Sequence, residues 1–196
     1  MGAITIELNC PGCGSPERID SVKCSYCRQP LSISTFNSIA DMAAPMVNKY
    51  AGTYKKALAE HPDDQTLNTS MGMCYLKLRL FDKALPNFEK AMEDNFDNSE
   101  PFFYAAICLL GGKKPFLHTR PEIDKMLEYV NAALMLEDRG IYHYFLAYIK
   151  KDYFDRKFLN VKPNAADELA LAQRIGYSDT DVSLLLPFLG TETAPF

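Results

Sequence analysis

Four cysteines near the start of the chain form two closely spaced pairs. Residues 10–13 read CPGC and residues 24–27 read CSYC, with ten residues between the pairs. Each Cys-x-x-Cys turn presents two thiolates to one side of a metal ion that prefers soft ligands in a tetrahedron. Because all four ligands are then protein sulfurs, no coordination position remains for water or substrate. The spacing therefore predicts one structural Zn²⁺, held by Cys10, Cys13, Cys24 and Cys27.

The chemistry of this cysteine set leaves two alternatives open. The same four sulfurs suit iron in a rubredoxin-like site, and paired free thiols are the third possibility. The residues resemble a zinc ribbon, and the resemblance covers about residues 1–35, although the segment between the pairs is shorter than the common one of about 15–20 residues. A module this small buries little apolar surface, so we expect metal binding to supply most of its folding free energy.

After the cysteine pairs, apolar residues recur with the period of α-helices. The clearest unit is the 34-residue stretch Gln65–Asn98, which has a small residue, Gly72, in its first half and Phe81, Ala84 and Phe88 in its second. This unit resembles a tetratricopeptide repeat, in which the small residue lies where the two helices touch. Weaker versions flank it, and the resemblance covers about residues 41–150.

These two resemblances predict a mostly α protein, with a tetratricopeptide-like helical solenoid (an α–α superhelix) after a small N-terminal β zinc ribbon. Since a solenoid needs about three stacked repeats and only one here is close to the pattern, an irregular helical bundle is the alternative. We expect the following domains: a zinc ribbon at residues 1–35, a linker at 36–41, a helical domain at 42–190 with its best repeat at 65–98, and a flexible tail at 191–196.

The repeat resemblance also implies a binding surface, because the first helices of such repeats line a concave face. The aromatic character of this face suits an extended or helical peptide with apolar anchors. Alternatively, the C-terminal helices fold back and bury the same side chains. The predicted partner-binding residues are Met73, Lys77, Phe103, Tyr104, Ile107, Tyr144, Phe145 and Tyr148.

Composition narrows the class of function. The 21 Lys and Arg residues face 25 Asp and Glu residues, a net charge of −4, and no run of cations suits a phosphate backbone, so nucleic-acid binding is disfavoured. No secretory signal and no apolar run long enough to cross a bilayer is present, which predicts a cytoplasmic protein without membrane insertion.

The three histidines are scattered, and no catalytic motif accompanies them. We therefore expect a non-enzymatic scaffold that binds a protein or peptide partner. The alternative is a nucleic-acid-associated factor, with the zinc ribbon as reader and the helical domain as tether.

Overall fold

The computed structural model describes residues 7–18, 21–93, 95 and 97–196. It divides the chain into two compact units, Met1–Asn95 and Phe96–Phe196. The described residues are mostly helical, and their strands form one small antiparallel sheet close to the start of the chain. The predicted class, mostly α with a small N-terminal β element, is confirmed.

The first unit combines the cysteine-rich segment with a group of helices. Strands β1 and β2 flank the first cysteine pair and place Leu8 opposite Glu17, with Leu8 turned into the core. The elements of this unit are β1 (Glu7–Asn9), β2 (Pro16–Arg18), α1 (Phe36–Ile39), α2 (Ala44–Glu60), α3 (Gln65–Lys77) and α4 (Phe81–Met92).

Helices α3 and α4 form the predicted best repeat. Asp64 caps α3, since its carboxylate accepts a hydrogen bond of 2.7 Å from the Leu67 N–H. Gly72 lets the helices approach closely, because a Cβ atom there would lie 2.7 Å from the ring of Phe88. Phe88 and Ala84 are fully buried in this contact. The small residue therefore does what the repeat pattern predicts of it.

The second unit is a larger set of helices. Its elements are α5 (Glu100–Leu110), α6 (Arg120–Leu136), α7 (Gly140–Ile149), α8 (Ala165–Ile175) and α9 (Asp179–Leu185), with short 3₁₀ turns at Pro115–Leu117 and Leu186–Phe188. A π-helical turn, Lys150–Asp155, prolongs α7. Asn164 and Ser178 begin α8 and α9 as capping boxes, in which Asp167 and Asp181 bond back to the cap residue.

Contacts are present in the two segments predicted as a linker and as a flexible tail. Residues 36–41 include the short helix α1, whose cap is Thr35 and whose Ile39 is buried. In the tail, residues 191–196, the carbonyl of Pro195 accepts a hydrogen bond from Lys151. As for membranes, no helix among the described ranges has both the length and the apolar character needed to cross one.

Candidate metal centre and the buried aromatic face

The four cysteine sulfurs of the ribbon converge on one point. Their Sγ atoms all lie within 4.8 Å of one another, with 3.5 Å between Cys10 and Cys27 and 3.6 Å between Cys13 and Cys24. Tetrahedral zinc with Zn–S bonds of about 2.3 Å requires sulfurs about 3.8 Å apart. The four cysteines therefore form a site that fits one metal ion with small side-chain adjustments. The donor set is equally compatible with zinc and with iron.

The first cysteine turn is closed by two backbone hydrogen bonds. The Cys10 N–H donates to the Ser15 carbonyl and the Gly14 N–H donates to the Cys10 carbonyl, each at 2.8 Å. Gly14 has φ +82°, a left-handed conformation that glycine adopts without steric cost. The Gly12 N–H also points at the Cys10 sulfur, at 3.3 Å, as expected of an amide that supports a thiolate ligand.

The second turn repeats this construction fourteen residues later in the sequence. The Cys24 N–H donates to the Gln29 carbonyl at 2.8 Å, and the Arg28 N–H donates to the Cys24 carbonyl at 3.1 Å. Arg28 takes the place that Gly14 has in the first turn and shares its left-handed backbone, with φ +64°. The missing glycine of this turn is thus replaced by a residue that carries a Cβ and bears the associated strain.

Glu17 joins the two halves of the ribbon. Its Oε1 accepts hydrogen bonds from the Ser25 N–H at 2.8 Å and the Ser25 hydroxyl at 2.6 Å, and it lies 3.2 Å from the Cys24 sulfur. The Ser25 hydroxyl, followed by the Cys24 thiol, holds the pKa of Glu17 below its usual range. Since Glu17 is in β2, these bonds fix the second cysteine turn to the sheet. No motif or spacing in the sequence indicates that Glu17 positions the second cysteine turn.

The thiols of the centre ionise unequally. The N–H and hydroxyl of Ser15 lower the pKa of Cys13 to about 6. The pKa of Cys27 rises to about 12; the N–H of Gln29 lowers it, but desolvation and the neighbouring thiols outweigh this effect. Four adjacent sulfurs cannot all become thiolates unless a cation compensates their charge.

The ribbon is attached to helix α2 by two tyrosines one turn apart. The Tyr50 hydroxyl donates to the Pro30 carbonyl at 2.8 Å, and the Tyr54 hydroxyl donates to the Leu31 carbonyl at 2.9 Å. Desolvation, and next the nearby Cys10 thiol, raise the pKa of Tyr50 to about 12. Both phenols therefore stay neutral hydrogen-bond donors at physiological pH.

A further bond ties the ribbon to helix α3. The Ile33 N–H donates to the Ser70 hydroxyl at 3.0 Å, and Ile33 and Ser70 are both buried. Leu31 packs in one buried cluster with Cys10 and Cys24. These contacts join the segment that carries the candidate metal centre to helices α2 and α3, and Leu31 of the same segment packs directly against two of the cysteines.

The residues predicted to bind a partner lie inside the protein. In the first unit, Met73 is fully buried, while the half-buried Lys77 donates from Nζ to the Ala40 carbonyl. In the second unit, no predicted residue is more than 4% exposed. Those six residues are Phe103, Tyr104, Ile107, Tyr144, Phe145 and Tyr148.

The segment after helix α7 supplies much of this cover. The Tyr148 hydroxyl donates to the Leu189 carbonyl, and the Tyr144 ring packs against Tyr177 at 5.1 Å and Phe196 at 5.5 Å. These contacts cover Tyr144 and Tyr148 within the second unit. The physical reason is that the aromatic surface of α7 is apolar enough to be buried by its own chain.

A buried ionic network lies between α7 and α8. Glu168 accepts from Lys150 Nζ at 2.5 Å and contacts His143 Nδ1 at 2.6 Å, while His143 Nε2 lies 3.0 Å from Asp138. Lys150 and Glu168 are both buried, so each charge depends on its partner. The only sequence signal for this network was a lysine directly after the apolar run of α7.

The isolated cysteines serve packing. Cys74 in α3 and Cys108 in α5 are both buried. Burial raises the pKa of Cys74 to about 12, so this side chain stays a neutral thiol.

Comparison with known proteins identifies the fold. No family model and no curated protein matches the chain. Among solved structures, MamA from Desulfovibrio magneticus RS-1 aligns with a TM-score of 0.55 and 16% identity over 71% of each chain. MamA from AMB-1 aligns with a TM-score of 0.53 and 20% identity over 74% of this chain and 72% of that chain.

These similarities concern the fold alone, because the identities are low. The helices belong to the class of tetratricopeptide-like helical solenoids, and the predicted fold class is confirmed. The solved structures named here that have a similar fold are forms of MamA.

Proposed function

We propose that this protein is a non-enzymatic adaptor that binds protein partners, with one structural zinc ion in the ribbon. The observation that carries the proposal is the attachment of the ribbon. Residues 30–33 are fixed to the helices by three hydrogen bonds, while Tyr26 and Val22 of the same ribbon remain 77% and 75% exposed. An aromatic side chain held on a metal-closed turn is a suitable anchor for a protein interface.

The histidines support a non-enzymatic role, because each has a structural position. His61 ends helix α2 with its backbone N–H. The ring of His118 is buried, with Nε2 3.1 Å from the Leu110 carbonyl. His143 belongs to the ionic network around Glu168.

Elemental analysis tests the metal. We expect the purified protein to contain one zinc ion per chain and the Cys24→Ser variant to lose it. A Ser25→Ala variant is the control, since its side chain is next to the centre but supplies no sulfur. One iron per chain would replace zinc by iron in the proposal, and an unchanged metal content in Cys24→Ser would contradict the assignment of the ligands.

Quantitative affinity capture tests the adaptor function. The wild-type chain is compared with Tyr26→Ala and, as a matched control, with Met135→Ala, whose side chain is 87% exposed on helix α6. Losing an aromatic anchor costs about 2 kcal/mol, which corresponds to roughly thirtyfold weaker binding. We expect a purified partner to bind wild type and Met135→Ala equally and Tyr26→Ala much more weakly. Equal binding by all three proteins would refute the hypothesis that the partner binds the ribbon at Tyr26.

One observation favours a second function, that of a nucleic-acid-associated factor. Lys23 and Arg28 are exposed on either side of the exposed Tyr26, and single strands are bound by aromatic stacking combined with cations. The −2 charge of a zinc ion with four thiolates opposes this function. The nucleic-acid function predicts salt-dependent binding of short single-stranded DNA or RNA that is lost in Tyr26→Ala. Fluorescence anisotropy would detect this binding.

A further inference from the structure

The tail, residues 191–196, makes a specific contact in the second unit. Phe196 packs edge-on against Tyr144, with ring centroids 5.5 Å apart and planes at 78°. Lys151 Nζ lies 4.3 Å from the centroid of the Phe196 ring and donates a 2.8 Å hydrogen bond to the Pro195 carbonyl. Tyr144 also contacts Tyr177. Lys151 and Tyr144 thus hold the pair Pro195–Phe196, and Tyr177 packs against Tyr144.

The rest of the tail is loosely held. Glu192, Thr193 and Ala194 are exposed, and the ring-bearing Phe196 itself remains 40% exposed. A hydrogen bond from the Thr191 hydroxyl to the Thr193 carbonyl lies within the tail. A segment anchored mainly through its last two residues can be displaced without disturbing the helices.

The position that the tail covers has an unmet polar group. The Tyr144 hydroxyl is buried and has no hydrogen-bond partner among the described residues. A buried hydroxyl without a partner costs free energy that a suitable ligand recovers. The Phe196 side chain carries no hydrogen-bonding atom, so the tail makes the aromatic contact with Tyr144 and leaves its hydroxyl without a partner among the described residues.

We propose that the tail is an internal ligand, and that it occupies a peptide site formed by Lys151 and by Tyr144, whose ring is packed against Tyr177. The site takes a proline–aromatic segment of a partner protein when the tail is displaced. The inference rests on the proposed adaptor function and names the class of partner. The occupant is defined by the contacts seen: a carbonyl that accepts from Lys151, followed by an aromatic ring beneath the ammonium group.

The chemistry of such a segment favours exchange with the tail. A proline before the aromatic residue restricts the unbound peptide, so less entropy is lost on binding. The tethered tail competes at a millimolar effective concentration, which lowers the apparent affinity of the intact chain for any free peptide. Removing the Phe196 ring should relieve this competition while leaving the site in place.

Fluorescence polarisation with a labelled peptide tests the inference. The peptide has the sequence TETAPF, with both ends blocked, and the proteins are the full-length wild type and Phe196→Ala. We expect Phe196→Ala to bind the peptide at least about tenfold more tightly than wild type, because the tethered competitor is lost. A peptide with Ala in place of the Phe should not bind. Adding Lys151→Gln to Phe196→Ala should weaken binding severalfold, whereas adding Lys114→Gln, at an exposed lysine elsewhere, should not.

Three outcomes overturn the inference. Equal affinity of wild type and Phe196→Ala would show that the tail does not occupy the site. A lack of saturable binding by Phe196→Ala would show that there is no peptide site. A wild-type dimer that becomes monomeric in Phe196→Ala would assign the tail to the site of a second copy, in place of a partner peptide.

The same variants separate this inference from the proposed function. If a partner depends on Tyr26 while the TETAPF peptide binds neither protein, the inference fails and the adaptor function stands. If the peptide binds Phe196→Ala but no partner depends on Tyr26, the ribbon surface fails and the tail site stands.

Discussion

Replacing Tyr54 by Phe removes a single oxygen atom from the interface between the ribbon and helix α2. Tyr54 is fully buried, and its hydroxyl donates to the Leu31 carbonyl at 2.9 Å. The phenyl ring would remain packed, so the loss is that of the hydrogen bond to Leu31, which leaves a buried carbonyl without its donor, and of the contact between the hydroxyls of Tyr54 and Ser70. Such a loss costs about 1–3 kcal/mol, and we expect a decrease of about 2 kcal/mol in the free energy of unfolding of the zinc-loaded protein.

The cost should depend on the metal, because Leu31 packs with Cys10 and Cys24 in the core of the ribbon. If the metal ion holds the ribbon in its fold, its removal releases the Leu31 carbonyl to water. Tyr54→Phe then costs less than about 0.5 kcal/mol, as for a substitution outside any specific contact. The difference is a coupling free energy of about 1.5 kcal/mol between the metal and the tyrosine.

Urea unfolding followed by circular dichroism measures all four states, wild type and Tyr54→Phe, each with zinc and after chelation. Tyr26→Phe is the matched control, since it removes the same atom from an exposed side chain and should change stability by less than about 0.5 kcal/mol. An equal cost of Tyr54→Phe with and without metal would refute the coupling. No cost in the zinc-loaded protein would refute the hydrogen bond itself.

Three further predictions concern the backbone and pH. Gly72→Ala should lower the free energy of unfolding in urea by about 1–3 kcal/mol, because its Cβ would lie 2.7 Å from a buried ring. The control, Gly52→Ala, has open space around it and should stabilise the protein by up to about 1 kcal/mol. Equal effects of the two substitutions would contradict the close helix contact. Arg28→Gly should stabilise the zinc-loaded protein by up to about 1 kcal/mol, since glycine removes the left-handed strain; a clear loss of stability would assign the side chain a role. The Thr119 N–H holds the pKa of Glu122 below its usual value of 4.5, so the stability that Glu122 contributes is present above about pH 4.5 and is lost as pH falls through the lower pKa of the folded protein. Glu122→Gln should therefore make the free energy of unfolding depend less on pH in this acidic range. An unchanged pH dependence would count against the capping box.

Features encoded by neighbouring residues could be predicted from the sequence. Each Cys-x-x-Cys sequence brings two sulfurs together within one turn, and α8 and α9 begin at Asn164 and Ser178 because each cap bonds within its first turn. Gly72 could be assigned to a helix contact because a repeat fixes which residue faces its partner. In each case the interacting groups lie within one turn or one repeat.

Features that join distant residues could not be predicted in this way. The ion pair between Lys150 and Glu168 links residues eighteen positions apart, and each residue alone is ordinary in a helical sequence. Arg28 gave no sign of a left-handed backbone, because only its symmetry with Gly14 in the folded ribbon reveals it.

The aromatic face shows why composition alone was ambiguous. Tyr144 and Phe145 would be suitable in a peptide groove and equally suitable in a core, since both environments reward the burial of large rings. What decides is whether another part of the chain reaches them. Here Leu189 reaches Tyr148 and Phe196 reaches Tyr144. The burial of these tyrosines therefore depends on residues more than forty positions after them in the sequence.

The two units solve the same physical problem with the same device. A short helical array has end surfaces that a longer solenoid would cover with another repeat. A non-helical segment can cover such a surface only if its buried carbonyls find donors. The Tyr54 hydroxyl supplies one to Leu31 in the first unit, and the Tyr148 hydroxyl supplies one to Leu189 in the second. The segments differ in what else holds them: the ribbon carries a candidate metal site, whereas residues 191–196, the tail that follows Leu189, are held by a few side chains. The ribbon should therefore stay in place as long as its metal is bound, and the tail is the cover that a partner can displace.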